Sequence, residues 1–273
     1  MATTPLNKEQ LRPLLYPRLV RLGPPTDGGY VVPEDQIAKC NLLVSLGLSD
    51  NWTFDKDFLK LNPSVKIIGV DHTVGSYFFI SRLPLILFRI VSYALIFNRK
   101  KIRKHTARLN NYLGYFTFFK KPHKHIKKRM SDSMRDPLDI TLDAVLNAAG
   151  PGKEHDVFLK MDIEGAEYGL VPEIIKNRNR IRCIAAEFHW LDKQTEDFNR
   201  AIRALNEHFS LIHIHANNIG PYDHANDFPI GVEITWINKD LLKEELPVST
   251  LNYPREDLDI PNTITKPDYK LAF

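Results

Sequence analysis

Four acidic and imidazole side chains follow short apolar runs, and they are the residues best suited to chemistry. A histidine paired with a carboxylate can take up a proton near neutral pH, because imidazole titrates there. Carboxylate oxygens also suit Mg²⁺, so a divalent metal held by Asp162, Glu187 and a neighbour is an alternative. In chain order the four candidate catalytic residues are Asp162, Glu187, His189 and His215.

The apolar runs ahead of these residues are predicted to be parallel strands of one sheet. They cover Val157–Met161, residues 181–186 and residues 211–215, and helical patterns separate them. Because the carboxyl ends of parallel strands meet at one edge, the polar side chains should converge there. His213 is assigned a structural role, on the expectation that it faces the opposite side of the sheet from His215.

Two earlier runs carry features of a nucleotide-binding edge. Residues 41–46 form an apolar run of strand length, and Gly47 and a helical stretch follow it. Strand, glycine turn and helix is the arrangement that brings backbone close to a cofactor, although only one glycine is present. Asp71 ends the next predicted strand, Lys66–Val70, and lies at the position that often binds ribose hydroxyls. The alternative for Asp71 is a turn or cap residue.

The middle of the chain has an uneven charge distribution. Although the formal net charge is only +4, residues 72–131 contain fourteen Lys or Arg and no acidic residue. The remainder is therefore acidic, which suggests that one region alone meets a negatively charged partner. Residues 115–119 are predicted to be the third strand. Residues 120–129 are predicted to be a solvated basic loop.

Residues 77–97 within this region are almost wholly apolar. Arg82 and Arg89 divide the stretch and Pro84 interrupts it, which disfavours a membrane span because a central arginine costs about 2.5–3.5 kcal/mol. Two interpretations stay open. The segment is either an interfacial helix on an anionic membrane surface, or a helix buried on one face of the sheet.

The run from Leu159 to Glu167, Leu-Lys-Met-Asp-Ile-Glu-Gly-Ala-Glu, resembles the signature of the FkbM-type methyltransferases. That family is a branch of the class I S-adenosylmethionine-dependent enzymes. Three further motifs are similar to it and occur in the same order, and the likeness covers about residues 20–270, weakest over 76–130. The motifs are Asp27-Gly28-Gly29-Tyr30, Glu187-x-His189 and His215-x-Asn217-Asn218.

The resemblance implies an α/β, Rossmann-like class I methyltransferase fold. Its sheet would have seven mostly parallel strands, the last strand pair antiparallel, and helices on both faces. A single domain would cover residues 1–273, with a basic and apolar insertion at about 76–130. Together, the sequence pattern and the resemblance predict which residues bind S-adenosylmethionine. They are Asp27, Gly28, Gly29, Tyr30, Ser45, Gly47, Leu48, Asp71, His72, Asp132 and Asp162.

The expected reaction is O-methylation of a glycan or a lipid-linked saccharide. The expected partners are a glycan or glycolipid acceptor and an anionic membrane surface, with no nucleic acid. Met1 to Gln10 lacks an apolar signal segment, and Cys40 and Cys183 look like buried free thiols. Both points favour a cytoplasmic protein, and residues 76–130 would hold it at the inner face of a membrane.

Two other functions fit the same residues. A metal-dependent hydrolase could use the four candidate catalytic residues, and it would retain metal and bind no S-adenosylmethionine. A non-catalytic membrane-surface adaptor could keep the fold and lose the chemistry, which the lone Gly47 favours.

Overall fold

The computed structural model describes residues 5–273, which form a mixed α/β structure. The strands are Leu19–Leu22 (β1), Tyr30–Pro33 (β2), Leu42–Leu46 (β3), Lys66–Val70 (β4), Lys124–Ile126 (β5), Arg129–Met130 (β6), Asp139–Ile140 (β7), Val157–Met161 (β8), Ile181–Phe188 (β9), Phe209–Ala216 (β10), Tyr222–Asp223 (β11), Phe228–Pro229 (β12) and Val232–Asn238 (β13). The α-helices are Glu34–Ile37 (α1), Thr53–Leu61 (α2), Ser76–Leu95 (α3), Arg99–Phe118 (α4), Leu142–Ala148 (α5), Glu167–Lys176 (α6) and Thr195–His208 (α7). Short 3-10 helices cover Lys8–Leu11 and Lys239–Leu241.

A seven-stranded sheet organises the chain, in the order β10-β13-β9-β8-β3-β4-β5. The five strands from β9 to β5 are mutually parallel. Strand β13 lies between β9 and β10 and is antiparallel to both. This confirms the expected Rossmann-like α/β fold, whose seven-stranded sheet is mostly parallel with an antiparallel last strand pair.

The sheet is covered on both faces because its central strands are apolar on both sides. Leu42, Val44 and Leu46 of β3 pack into one hydrophobic cluster with helices α5, α6 and α7. Leu43 points to the opposite face and joins a second cluster with Phe58 of α2. Strands buried on both faces are typical of parallel sheets, and their carboxyl ends then form the open edge.

The N-terminal hairpin packs on one face of the sheet, and the C-terminal segment lies against β10. The Asp-Gly-Gly turn at residues 27–29 joins β1 to β2, and Gly28 has a φ of +84°, which favours glycine. Thr235 of β13 donates a 2.7 Å hydrogen bond to the Val31 carbonyl of β2. The segment from residue 252 onward is irregular, and Tyr253 and Leu271 anchor it in the core.

Helices α3 and α4 form a hairpin between β4 and β5, which corrects two predictions. Residues 115–119, predicted to be the third strand, form the last turn of α4 and the residue after it. Tyr115 packs edge-on against Trp52 at 5.8 Å and Phe119 does the same, so helical spacing buries this aromatic run. The third sheet strand is β5, inside the stretch predicted to be a solvated loop.

The two cysteines conform to the prediction. Cys40 and Cys183 are both buried and free. Burial raises the pKa of the Cys40 thiol to about 12, so it stays protonated at neutral pH.

Candidate functional site

A cavity of about 1140 Å³ opens at the carboxyl ends of the parallel strands. Ordinary small-molecule sites hold about 300–1,000 Å³, so this one has room for a cofactor and a second molecule together. The loops after β3, β4, β8, β9 and β10 all contribute to its wall. The predicted site residues that line it are Asp27, Gly28, Gly47, Leu48, Asp71, His72, Asp162, Glu187 and His189.

The loop after β3 turns sharply at Gly47, which has a φ of +79°. A Cβ atom there would lie 1.6 Å from the carbonyl oxygen of Asp162, so no larger residue fits. Leu48 and Ser49 donate backbone hydrogen bonds of 2.9 and 2.8 Å to Asp71 Oδ2. The glycine turn is therefore packed against one strand end and fastened to another.

Asp71 holds this loop with all of its acceptor positions. Its other oxygen, Oδ1, accepts hydrogen bonds of 2.7 and 2.6 Å from the backbone and hydroxyl of Thr73. Burial alone would raise the pKa of Asp71, but the bonds from Thr73, Ser49 and Leu48 outweigh it and lower the pKa. A ribose hydroxyl that bound Asp71 would have to displace Thr73, because a carboxylate offers about four lone pairs.

Lys160 is a site residue that the sequence interpretation missed. It lies in the buried strand β8, and its Nζ donates to the Gly47 carbonyl at 2.9 Å. The same ammonium lies 3.4 Å from Asp162 Oδ2, which also accepts a 3.2 Å hydrogen bond from the Tyr30 hydroxyl. The visible signal is a lysine within an otherwise apolar strand, which needs a partner when buried.

The turn after β8 is organised by Glu167, a second residue whose role was missed. This fully buried carboxylate accepts backbone hydrogen bonds from Ile163 at 3.3 Å and Gly165 at 3.0 Å. Its Oε1 also lies 2.9 Å from Nδ1 of His189. Gly165 has a φ of +94°, and a Cβ there would clash with the Trp190 ring at 2.0 Å.

His189 stands among four carboxylates. Its Nε2 lies 3.5 Å from Glu187, 3.9 Å from Asp162 and 3.9 Å from Glu164, on the side away from Glu167. Burial alone would lower the pKa of His189, but the Glu167 hydrogen bond and the charges of Glu187, Glu167 and Asp162 raise it to about 9. The imidazole is thus held cationic at neutral pH, with Nε2 presented to the cavity.

Buried acids continue behind His189 toward the C-terminal segment. Burial, and then the charges of Asp162 and Glu233, raise the pKa of Glu187 well above its ordinary value. Asn217 donates a 2.5 Å hydrogen bond to Glu187 and a 3.4 Å one to Asp27. The cavity wall therefore carries more acidic than basic groups on this side.

His215 does not reach the cavity. It is buried between Glu233, 3.1 Å from Nδ1, and Asp268, 3.0 Å from Nε2. Burial alone would lower the pKa of His215, but the hydrogen bonds that it donates to Asp268 and Glu233 raise it to about 10. The structure thus places this predicted catalytic residue in a closed ion-pair network.

His213 is buried as predicted, but the reason given for it was wrong. Residues two apart along a strand share a face, so His213 and His215 point the same way. Both meet carboxylates of the C-terminal segment, since His213 Nε2 lies 2.9 Å from Asp259.

Four predicted cofactor residues lie outside the cavity wall, and they are Gly29, Tyr30, Ser45 and Asp132. Tyr30 stands behind the wall and contacts Asp162, while Ser45 is fully buried within β3. Asp132 follows β6, and its Cβ lies 3.8 Å from the place where a Cβ of Gly169 would be. Its position beside α6 gives no support to a contact with adenine.

Two clusters of side chains in residues 5–273 bring three potential metal ligands within 4.8 Å of one another. They are Asp162, Glu164 and His189, and Asp27, Glu187 and Glu233. A metal in the first cluster would have to displace the Nε2 proton of His189, whose pKa the surrounding carboxylates raise to about 9. The chemistry proposed below is proton transfer by these side chains.

Comparison with known proteins gives distant likenesses of fold. No family model matches the chain, and no curated protein matches it. Among solved structures, Methanococcus jannaschii fibrillarin pre-rRNA processing protein is 10% identical, with 75% of this chain and 69% of that chain covered and a TM-score of 0.39. Precorrin-6y C5,15-methyltransferase from Geobacter metallireducens GS-15 is 10% identical over 75% of this chain and 86% of that one, with a TM-score of 0.37. A Plasmodium falciparum dimethyladenosine transferase is 12% identical over 76% and 60%, with a TM-score of 0.34. Likeness this distant says nothing of activity or substrate, which must be inferred from the site.

Proposed function

We propose that the protein is an S-adenosylmethionine-dependent methyltransferase that methylates a hydroxyl group of a saccharide. The observation that carries the proposal is one cavity with two unlike sides. The Gly47 turn and Asp71 form a nucleotide-type edge on one side. His189, with its carboxylate partner, faces the same cavity from the other side.

The first side suits the cofactor. Gly47 and Leu48 would lie against it, Asp71 and His72 would hold its ribose, and Asp162 would face its charged centre. When bound, S-adenosylmethionine supplies a methyl group on a cationic sulfonium. The excess of carboxylates around Asp162, Glu164 and Glu187 gives this wall the negative potential that a cation requires.

The second side suits proton removal from a hydroxyl. Glu167 fixes the His189 ring through Nδ1, so the proton on that nitrogen stays there and Nε2 is the exchangeable position. Once Nε2 is neutral, it accepts the hydroxyl proton, and Glu167, 2.9 Å from Nδ1, stabilises the imidazolium that results. These residues are thus placed to raise the nucleophilicity of an alcohol.

The acceptor side has the surface of a saccharide site. Trp190 lines the cavity and is 41% exposed, which leaves part of its ring free to cover an apolar sugar face. Asn217 and Asp27 offer amide and carboxylate groups to hydroxyls. The acidic wall disfavours a polyanionic acceptor such as RNA, whose phosphates require cations.

The proposal is tested by transfer of a tritiated methyl group from S-adenosylmethionine to a panel of neutral and lipid-linked saccharides. We expect label in at least one acceptor, and a loss of about 10²–10⁴-fold in His189→Gln, the usual effect of losing a general base. The matched control is His224→Gln, an exposed histidine outside the cavity wall.

Two results would contradict the proposal. Label transferred only to RNA or protein would refute the saccharide acceptor and leave the cofactor assignment intact. Equal turnover of His189→Gln and wild type on a labelled acceptor would show that His189 is not the base.

A further inference from the structure

The α3–α4 hairpin stands apart from the sheet and has one unpartnered face. Its base packs on the body, where Phe79 meets Trp52 at 5.6 Å between ring centroids. Farther out, α3 packs along α4, and Ile86 and Ile90 belong to the apolar cluster that the two helices share. Helix α3 is long and apolar enough to cross a membrane, yet little of it is buried.

The exposed side of α3 is a continuous apolar strip. At about 100° per residue, Ile80, Leu87, Phe88 and Val91 fall within roughly a third of the helix circumference. Phe88 is 68% exposed, and Phe97 at the hairpin turn is 87% exposed. A strip of this size on a folded protein marks an interaction surface.

The charged side chains of the two helices are all cations. Arg82 and Arg89 lie on α3 but outside the apolar arc. The first turns of α4, next to the hairpin turn, carry five exposed cations. No acidic residue lies on either helix. These cations are Arg99, Lys100, Lys101, Arg103 and Lys104.

We propose that the hairpin docks the protein on a bilayer containing anionic lipid, with α3 lying in the plane of the interface. The apolar strip would enter the acyl boundary and the cations would meet the lipid headgroups. An exposed apolar strip on a hairpin whose charges are all positive complements an anionic bilayer. Of the two interpretations of residues 77–97, the structure favours the interfacial helix over the buried one, because α3 is not buried on the sheet.

A transmembrane arrangement fits the hairpin poorly. The two helices pack side by side, so a spanning α3 would draw the first half of α4 into hydrocarbon. Each of its cations costs about 2.5–3.5 kcal/mol at the bilayer centre. In the plane of the interface the same cations stay in water near the headgroups.

Docking would also orient the cavity toward the membrane. Asp50 lines the cavity, and both Arg108 and Tyr112 of α4 bind its carboxylate, Tyr112 at 2.8 Å. Lys56 of α2 donates a 2.7 Å hydrogen bond to Asn111. The hairpin base is thus fastened to the cavity wall beside the Gly47 turn, so docking of the hairpin would hold the cavity close to the membrane surface.

The test is co-sedimentation of the full chain with two kinds of vesicle, each at low and at high salt. One kind contains phosphatidylcholine alone, and the other also contains about 30% phosphatidylserine, an anionic lipid. We expect binding to the anionic vesicles only, weakened by salt because screening acts over about 8–10 Å. Vesicle binding is measured without methyl transfer, so a failure of the membrane-docking proposal can be told apart from a failure of the proposed methyltransferase function.

Matched variants separate the two contributions. Lys100→Glu with Lys104→Glu should weaken partitioning at least roughly 30-fold, since each cation near the surface contributes about 1 kcal/mol. The control is Lys243→Glu with Lys270→Glu, two exposed lysines elsewhere. Each pair changes the net charge equally, so any difference reports the hairpin.

A second pair of variants tests the apolar strip. Phe97→Gln should weaken partitioning about tenfold or more, because a buried aromatic ring contributes about 1.5–3 kcal/mol. Ile264→Gln is the control, since Ile264 is 85% exposed and lies outside the hairpin. Thermal unfolding confirms that each variant is folded.

Three outcomes would overturn the proposal. One is no binding to anionic vesicles at low salt by the folded wild type. Another is equal loss in the hairpin and control variants. The third is a dimer in light scattering that Phe97→Gln dissociates, without vesicle binding, which would assign the strip to a second copy of the chain.

Discussion

Replacement of Gly47 by alanine is the perturbation that the site geometry makes most informative. Gly47 joins β3 to the loop that Asp71 holds, and it packs against the end of β8. Alanine meets two separate obstacles there. The first is the φ of +79°, and the second is the carbonyl oxygen of Asp162, 1.6 Å from the new Cβ atom.

The two obstacles have different magnitudes. A left-handed backbone costs a non-glycine residue about 1–2 kcal/mol. Relieving the clash costs more free energy, because an ordinary contact distance is about 3.5 Å. The new Cβ atom is fixed to the backbone after β3, and the oxygen that it meets belongs to the backbone after β8. Asp162 is also tied to Leu46 by a 2.9 Å backbone hydrogen bond, so it yields only if β3 and β8 separate. Overpacking of this kind costs about 1–3 kcal/mol, and sometimes more.

Gly150 provides a matched control for the first obstacle. It has a φ of +95° at the end of α5, and a Cβ atom there would meet nothing within 4 Å. Thermal unfolding of both variants therefore isolates the clash. We expect Gly47→Ala to melt about 2–12 °C below Gly150→Ala, from about 2–4 °C per kcal/mol in a chain of this size. Equal melting temperatures would refute the packing of Gly47 against β8.

Two further predictions concern Asp71 and His189. Asp71→Asn should weaken S-adenosylmethionine binding, measured by calorimetry, because it loosens the loop after β3. Thr73→Val frees Asp71 Oδ1 for a ribose hydroxyl, so it should leave the affinity unchanged or improve it. A larger loss of affinity in Thr73→Val than in Asp71→Asn would contradict this role for Asp71. The kcat/KM for methyl transfer should rise with pH up to about 9, because His189 must be neutral to accept a proton. Glu167→Gln removes a negative charge that raises the pKa of His189 and should move this midpoint to lower pH, while an unchanged midpoint would contradict the Glu167–His189 pairing.

The central strands could be predicted because burial on both faces leaves a clear apolar signature. Val157–Met161 and Lys66–Val70 have the predicted bounds. The third strand could not be found, since β5 is a three-residue edge strand, Lys-His-Ile, with no apolar run. The aromatic residues 115–119 have the composition of a strand. They are helical because helical spacing places Tyr115 against the rings of Trp52 and Phe79.

The site could be predicted only as far as strand ends determine it. Asp162, Glu187 and His189 converge because they follow adjacent parallel strands. His215 also ends a strand, but the C-terminal segment covers it with Asp268, and a contact 53 positions away leaves no local pattern. Glu167 resembles an ordinary acid at a helix start, and its bond to His189 depends on the turn at Gly165.

The most direct measurement of the central claim is calorimetric titration of the folded chain with S-adenosylmethionine. We predict one binding site per chain, lost in Gly47→Ala and retained in Gly150→Ala, because only the first variant alters the cavity wall. No heat of binding in the folded wild type, or the same affinity in both variants, would contradict a cofactor site at the Gly47 turn.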